Sequence, residues 1–359
     1  MATFEVKIET LTVLPHPNAD RLEIAHVGLY HIVVGKGDWV TGDKCFYIPE
    51  YSILPQPLIE ALGLEGKLAG PEKNRVHPVK LRKELSQGVV APLSFVSPEV
   101  IEAKGLDGDY AEDLGITKWE PVIPASMSGD VEAGHEVVNW IEIENLKKFP
   151  NIFTAGEPVV VTEKIHGTCS CFTVINPTSV DAKLIVTSKG LGAKRLALKE
   201  SKDNLYWQMA EKYNLTEFGK FIAEKYSESM PVSKVAIFGE TFGKVQDLTY
   251  GLPGSYGFTV FDIFVEGEES RWLNPDEVIN LTQEFGIPHP PVLFVGEFSI
   301  EKTEELASGM EQVSGKEVHI REGVVIRPIN RTKAEGGMEK IAKYVSEAYL
   351  TRKNGTEYN

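Results

Sequence analysis

No run of about 18 apolar residues occurs anywhere in the 359-residue chain, so a membrane-spanning helix is not expected. Cysteine is scarce. Cys45, Cys169 and Cys171 are too few and too unevenly placed for a disulfide framework, and a reducing, cytoplasmic setting is the simplest expectation. Without a second cysteine pair beside Cys169 and Cys171, a structural zinc site is not expected either. Positive charge is also in short supply. Thirty-seven Lys and Arg against 52 Asp and Glu leave a net charge of −15, which argues against holding nucleic acid by bulk electrostatics. A polymer would have to be met by local basic clusters on an otherwise acidic exterior. Internal repeats and low-complexity tracts are lacking, and Glu5, Lys7, Glu9, Asp20 and Arg21 make the first residues unlike a signal peptide. What remains, 42% hydrophobic and 25% charged, is an ordinary globular composition with length for two or three domains.

Short apolar stretches separated by Gly, Asp and Pro turns fill residues 1–96. Many short strands in so little chain predict a small barrel of the OB type, with one short helix at Pro57–Leu62. A strand pair is expected from Val76–Leu81 and Gly88–Leu93. Residues 97–140 are irregular and rich in Gly, Pro and Ser, and read as a linker with a helix around Asn139–Lys148. From residue 141 to 359, apolar runs are interrupted by helical spacing over Leu198–Ser227 and Asn274–Gly286. The whole reads as an α+β fold.

Chemistry is suggested first by Val161-Thr162-Glu163-Lys164-Ile165-His166-Gly167-Thr168. A lysine ending an apolar strand, with glycine three residues on, stands at a tight turn. If burial or a neighbouring cation lowers its proton affinity, its free amine can attack phosphorus. Lys-x-x-Gly alone is a weak signal, but four segments follow in order: Phe238-Gly239-Glu240, Tyr256 to Asp262, Glu322-Gly323-Val324-Val325-Ile326-Arg327, and Lys340-Ile341-Ala342-Lys343-Tyr344. Each fits a strand presenting a charge or a ring to one cleft.

In this order and spacing the segments resemble the motifs of the covalent lysyl-AMP nucleotidyltransferase superfamily, and Glu-Lys-Ile-His-Gly-Thr with Phe-Gly-Glu resembles its ATP-dependent RNA ligases. The resemblance spans roughly residues 140–350. Leu81-Arg82 and Leu85-Ser86-Gln87-Gly88 look like the OB module that precedes the ligase domain in one RNA ligase branch.

The resemblance implies an OB-like barrel followed by a ligase domain of antiparallel sheets with helical insertions. It implies ATP as cofactor, carried as AMP on Lys164, with Mg²⁺ or Mn²⁺, and catalytic roles for Lys343 and Lys340. The family pattern has two lysines separated by one residue. Here Ile341 takes the earlier position, and Lys340 would substitute from one turn away. Glu163, Ile165, Gly167, Lys189, Glu240, Phe261 and Val325 would line the nucleotide, with adenine between Phe261 and Val325. Glu322 and Glu240 would serve the metal.

His166 reads as a turn residue or one that supports the site from behind, and not as a general base, and Cys169 stands where RNA ligases often have asparagine. Lys73, Arg75, Lys80 and Arg82 form an acid-free basic stretch, the candidate surface for an RNA backbone. The expected partner is RNA with 3′-hydroxyl and 5′-phosphate ends in a duplex, met by a monomer. A DNA ligase, a capping-type enzyme and a non-catalytic OB-type RNA-binding protein remain the alternatives.

Overall fold

Leu22–Val27 and Tyr30–Gly35 form a hairpin across Gly28, whose φ of 54° suits the tight turn. The computed structural model describes residues 3–227, 232–267, 270–334 and 337–358. Its chain divides into one unit of Met1–Glu120 with Glu144–Pro150 and a second of Pro121–Ile143 with Asn151–Asn359.

In the first unit that hairpin pairs with Thr12–Pro15, while Lys44–Ile48 lies between Lys7–Thr10 and Val89–Pro92. Inward side chains of these short strands, among them Phe46, Ile48, Ala25 and Val27, fill the interior. This is the small barrel expected, with its helix at Gln56–Ala61. The expected strand pairing is not found. Val79–Leu81 pairs with Glu84–Ser86, and Val89–Pro92 with Lys44–Ile48.

The expected linker is also corrected. Pro98–Lys104 is a helix, Thr117–Lys118 pairs with Ser52–Ile53, and Tyr110, Ala111, Leu114 and Ile116 are buried in the first unit. Val131–Ala133 instead pairs with Leu196–Leu198 in the second unit. No helix forms over Asn139–Lys148.

The second unit carries a seven-stranded antiparallel sheet ordered Val131–Ala133, Leu196–Leu198, Lys183–Ser188, Thr168–Ile175, Lys234–Gly243, Tyr256–Glu266 and Arg271–Trp272. A second antiparallel sheet contains, side by side, Ala342–Val345, Gly323–Pro328, Pro158–Lys164 and Val292–Glu297. The helical insertions are Leu205–Lys212, Leu215–Tyr226 and Pro275–Phe285. Asn204 caps the first by accepting from the N–H groups of Tyr206 and Trp207. Glu277 caps the third by accepting from the Asn274 N–H at 2.9 Å, and Gly286 ends it at φ 83°. Phe172, Phe218, Phe258 and Ile237 share the main core with these helices. Residues 165–167 carry the chain from one sheet to the other, so Lys164 stands at the seam.

Candidate active site

Period-two alternation sends Val160, Thr162 and Lys164 to one face of their strand. The register sets Val325 opposite Thr162, Arg327 opposite Val160 and Gly323 opposite Lys164, and puts Lys343 opposite Val325. Lys164, Val325, Arg327 and Lys343 therefore share one face. Glu322, just ahead of its strand, reaches Lys164: Nζ lies 2.7 Å from Oε1. Glu240 comes from the other sheet, where it stands opposite Cys169. Gly167 lets these parts close, since a Cβ there would lie 2.1 Å from the Thr241 carbonyl oxygen and 3.1 Å from Glu240 Cγ.

The electrostatics depart from expectation. Burial pulls the Lys164 amine down, but the Glu322 and Glu240 carboxylates outweigh it and hold the amine above its ordinary range. These two carboxylates thus favour the protonated amine. Burial raises Glu240 to about 8 despite the pull of Lys164. Lys189 is lowered by burial, feels the charges of Glu240 and Lys164, and pairs with Glu142 at 2.9 Å.

Several expected site residues lie elsewhere. Glu163 points to the opposite face, where it accepts from the Gln312 N–H at 2.8 Å and lies 3.6 Å from Arg321. Ile165 is core, packed with Phe242, Leu248, Tyr250 and Tyr349. Lys340 is not brought to the amine: it pairs with Glu157 at 2.7 Å, beyond the other end of the Pro158–Lys164 strand. Phe261 lines a cavity with Val160, Thr162, Asp262, His289, Arg327 and Arg331. Its volume is about 10 Å³, room for one water. Trp140 lies 4.8 Å from the Phe261 ring, so the slot expected between Phe261 and Val325 is not preformed.

His166 is a buried tether. Its Nε2 is 3.0 Å from Asp247 Oδ1 and its Nδ1 3.0 Å from the Tyr349 hydroxyl, while Tyr250 accepts its backbone N–H at 2.6 Å. Arg352 donates to Asp247 at 2.8 Å, tying the C-terminal segment to the loop after Lys164. Sequence reasoning missed this network, and also Asp262, whose two oxygens take Arg331 at 2.9 and 2.8 Å. The signal was available, because Asp262 and Arg327 interrupt apolar runs and a buried charge demands a partner.

Among the basic candidates of the first unit, Lys73 and Lys80 are exposed. Arg82 is not on the strand but in the turn after it, at φ 50°. Arg75 is engaged within the unit, its guanidinium 4.1 Å from the Trp119 ring centroid and its backbone paired with Ala69.

A strand-end lysine facing glutamates from two antiparallel sheets, in a chain that begins with a small barrel, has the build of a covalent nucleotidyltransferase. Residues 157–345 match the RNA ligase family, more than half of the chain, and the protein belongs to that family. Residues 4–93 match an OB-fold domain, as expected of the barrel. No curated protein matches the chain. Among solved structures, an apo mutant of the Naegleria gruberi RNA ligase is 24% identical with a TM-score of 0.78, covering 98% of each chain. The same ligase with pyrophosphate is 24% identical, with a TM-score of 0.77 over 97% of this chain and 98% of that one. A mutant of it with ATP and Mn gives the same identity, score and coverage. At this identity the likeness is one of fold.

Proposed function

We propose that this protein is an ATP-dependent RNA ligase that joins a 3′-hydroxyl end to a 5′-phosphate end through AMP carried on Lys164. The observation that carries the reading is the Lys164–Glu322 contact at 2.7 Å, with the other Glu322 oxygen buried and without a hydrogen-bond partner. Similar folds have been solved with ATP and Mn and with AMP and Mn.

That orphaned oxygen and the Glu240 carboxylate fit a hard divalent cation. Two carboxylates are few ligands for Mg²⁺ or Mn²⁺, so the cation would keep much of its water here. When bound, the cation would neutralise phosphate charge and draw the carboxylates away from the amine.

Lys164 Nζ then gives up its proton to solvent and attacks the α-phosphorus of ATP. A P–N bond forms, the P–O bond to the β-phosphate breaks, and pyrophosphate leaves. Lys343, on the same sheet face, and Lys189 meet the phosphate charge. Phe261 parts from Trp140 to seat adenine. An oxygen of the RNA 5′-phosphate next attacks the AMP phosphorus and returns the electron pair to Lys164. The 3′-hydroxyl finally attacks the 5′-phosphorus and loses its proton to solvent; a phosphodiester P–O bond forms, the P–O bond to AMP breaks, and AMP departs.

The reading extends to a monomer acting on a break held in duplex RNA, as in nick or splinted repair, in a cytoplasm that keeps the thiols reduced. Incubation with α-labelled ATP and Mg²⁺ or Mn²⁺ tests it. Label should sit on the wild-type protein, be released by acid as a phosphoramidate is, and be absent from Lys164→Ala. Equal labelling of the two proteins would defeat the proposal, and a preference for nicked DNA over nicked RNA would turn it toward a DNA ligase.

A further inference from the structure

The Phe261 cavity is walled by polar groups that the reaction above does not use. The segment Pro288–Pro291 crosses between the two sheets, pinned on each side: the Pro288 carbonyl accepts from Val260 N–H and the Pro291 carbonyl from Glu163 N–H, both at 2.9 Å. His289 hangs from this bridge into the wall of the Phe261 cavity, together with Arg327. Arg327 is 8% exposed, and its Nε is buried with no hydrogen-bond partner. A buried guanidinium N–H without an acceptor is costly enough to ask for a reason.

The tautomer of His289 follows from one contact. Its Nδ1 lies 2.6 Å from the Pro290 carbonyl oxygen, which can only accept, so Nδ1 carries the proton. Burial, aided by the charge of Arg327, lowers the ring to about 4, so it is neutral at pH 7. Nε2 is then a bare acceptor. The wall therefore offers an acceptor from His289 and a donor from Arg327.

We infer that His289 and Arg327 read the edge of the nucleotide base and select adenine over guanine. Adenine presents an exocyclic N–H donor next to a ring-nitrogen acceptor, the complement of this pair. Guanine places O6 where adenine has its amine, and that oxygen meets the His289 lone pair with no proton between them. Both residues are specificity-determining and neither takes part in bond making. The inference rests on the ligase reading, since it presumes a nucleotide beside Lys164.

The test compares initial rates of covalent enzyme–nucleotide formation at subsaturating ATP, GTP and purine riboside triphosphate, which lacks the exocyclic amine. Wild type should prefer ATP over both by about tenfold or more, the scale of one buried hydrogen bond. His289→Ala should bring the ATP-to-purine ratio close to unity, and His289→Gln, which keeps an acceptor, should restore part of it. A merely structural His289 would lower all rates together and leave the ratio unmoved, which overturns the inference. So does a wild type that uses the purine analogue as well as ATP, a result that needs no variant. Absence of any adenylate on wild type fails the ligase reading itself, and is told apart from these outcomes by the missing label.

Discussion

Lys164 and Glu322 form an ion pair in which the ammonium side chain is 24% exposed and the carboxylate side chain only 6%. The contact is the reverse of what nucleophilic attack needs, because it stabilises the protonated amine. It suits a site that arms itself only when a cation competes for the carboxylate. Without nucleotide and metal, Glu322→Gln should therefore make Lys164 more reactive. Trinitrobenzenesulfonate labelling near pH 8, read by peptide mapping, should speed up by several-fold, since each unit of pKa is about a tenfold change in free amine. The same variant should lose lysyl-AMP formation. A labelling rate that is unchanged or slower would show that Glu322 does not hold the proton in place.

The two C-terminal lysines should separate cleanly. Lys343 stands opposite Val325 in register, beside Thr162 and two residues short of Lys164 along that strand. Lys340 is occupied by Glu157. Lys343→Ala should reduce enzyme–AMP formation about a hundredfold, the scale of losing one charge-stabilising donor. Lys340→Ala should leave that rate within a few-fold and cost at most about 1 kcal/mol of stability. Equal losses in the labelling assay would mean that the strand end rearranges on binding and recruits Lys340.

Glu163 should give the protein a pH-dependent weakness. Burial raises its carboxyl from the ordinary 4.5 to about 7, against the opposing pull of the Gln312 N–H and Arg321. A raised acid binds its proton more tightly when folded. Its favourable contribution is thus complete below pH 4.5 and is lost as pH rises toward 7. Glu163→Gln should match wild type in urea unfolding at pH 4.5 and exceed it at pH 8 by roughly 1–3 kcal/mol. A variant weaker than wild type at pH 8 would mean that the Arg321 charge depends on Glu163 more than burial penalises it.

The same residue shows what was legible in the sequence. Strand alternation already required Glu163 to face away from Lys164, so including it with the nucleotide residues went against the strand period. Lys164, Glu240 and Glu322 are brought together because their segments fall at strand ends, where side chains converge. Lys340 was misplaced because one-turn reasoning applies to a helix, whereas the chain here enters the strand Ala342–Val345. Tyr110, Leu114 and Ile116 hid in an apparent linker because non-repetitive chain buries apolar residues without any period to betray it. The partners of His166, distant in sequence at Asp247, Tyr349 and Arg352, could be found only from the fold.

The basic hairpin of the barrel offers the last test. Val79–Leu81 and Glu84–Ser86 are joined by Arg82 and Lys83 alone, at φ 50° and 78°. A two-residue turn of this shape favours Asn-Gly, and a long cationic side chain there is an uphill choice of order 1 kcal/mol per residue. Val79 and Leu81, on the strand that enters the turn, are both 41% exposed, so packing does not explain the choice. The proposed role in holding a phosphate backbone makes the choice testable. Lys80→Glu with Arg82→Glu should weaken binding of nicked duplex RNA and shallow its salt dependence, by about one unit of log–log slope per lost phosphate contact. The enzyme–AMP yield should stay at the wild-type level, because neither residue belongs to the adenylylation site. Arg75→Ala should behave differently, lowering the melting temperature of the first unit through loss of its contact with Trp119. If the double reversal leaves the RNA affinity and its salt slope unmoved, the hairpin is a solvated surface and the RNA is held elsewhere.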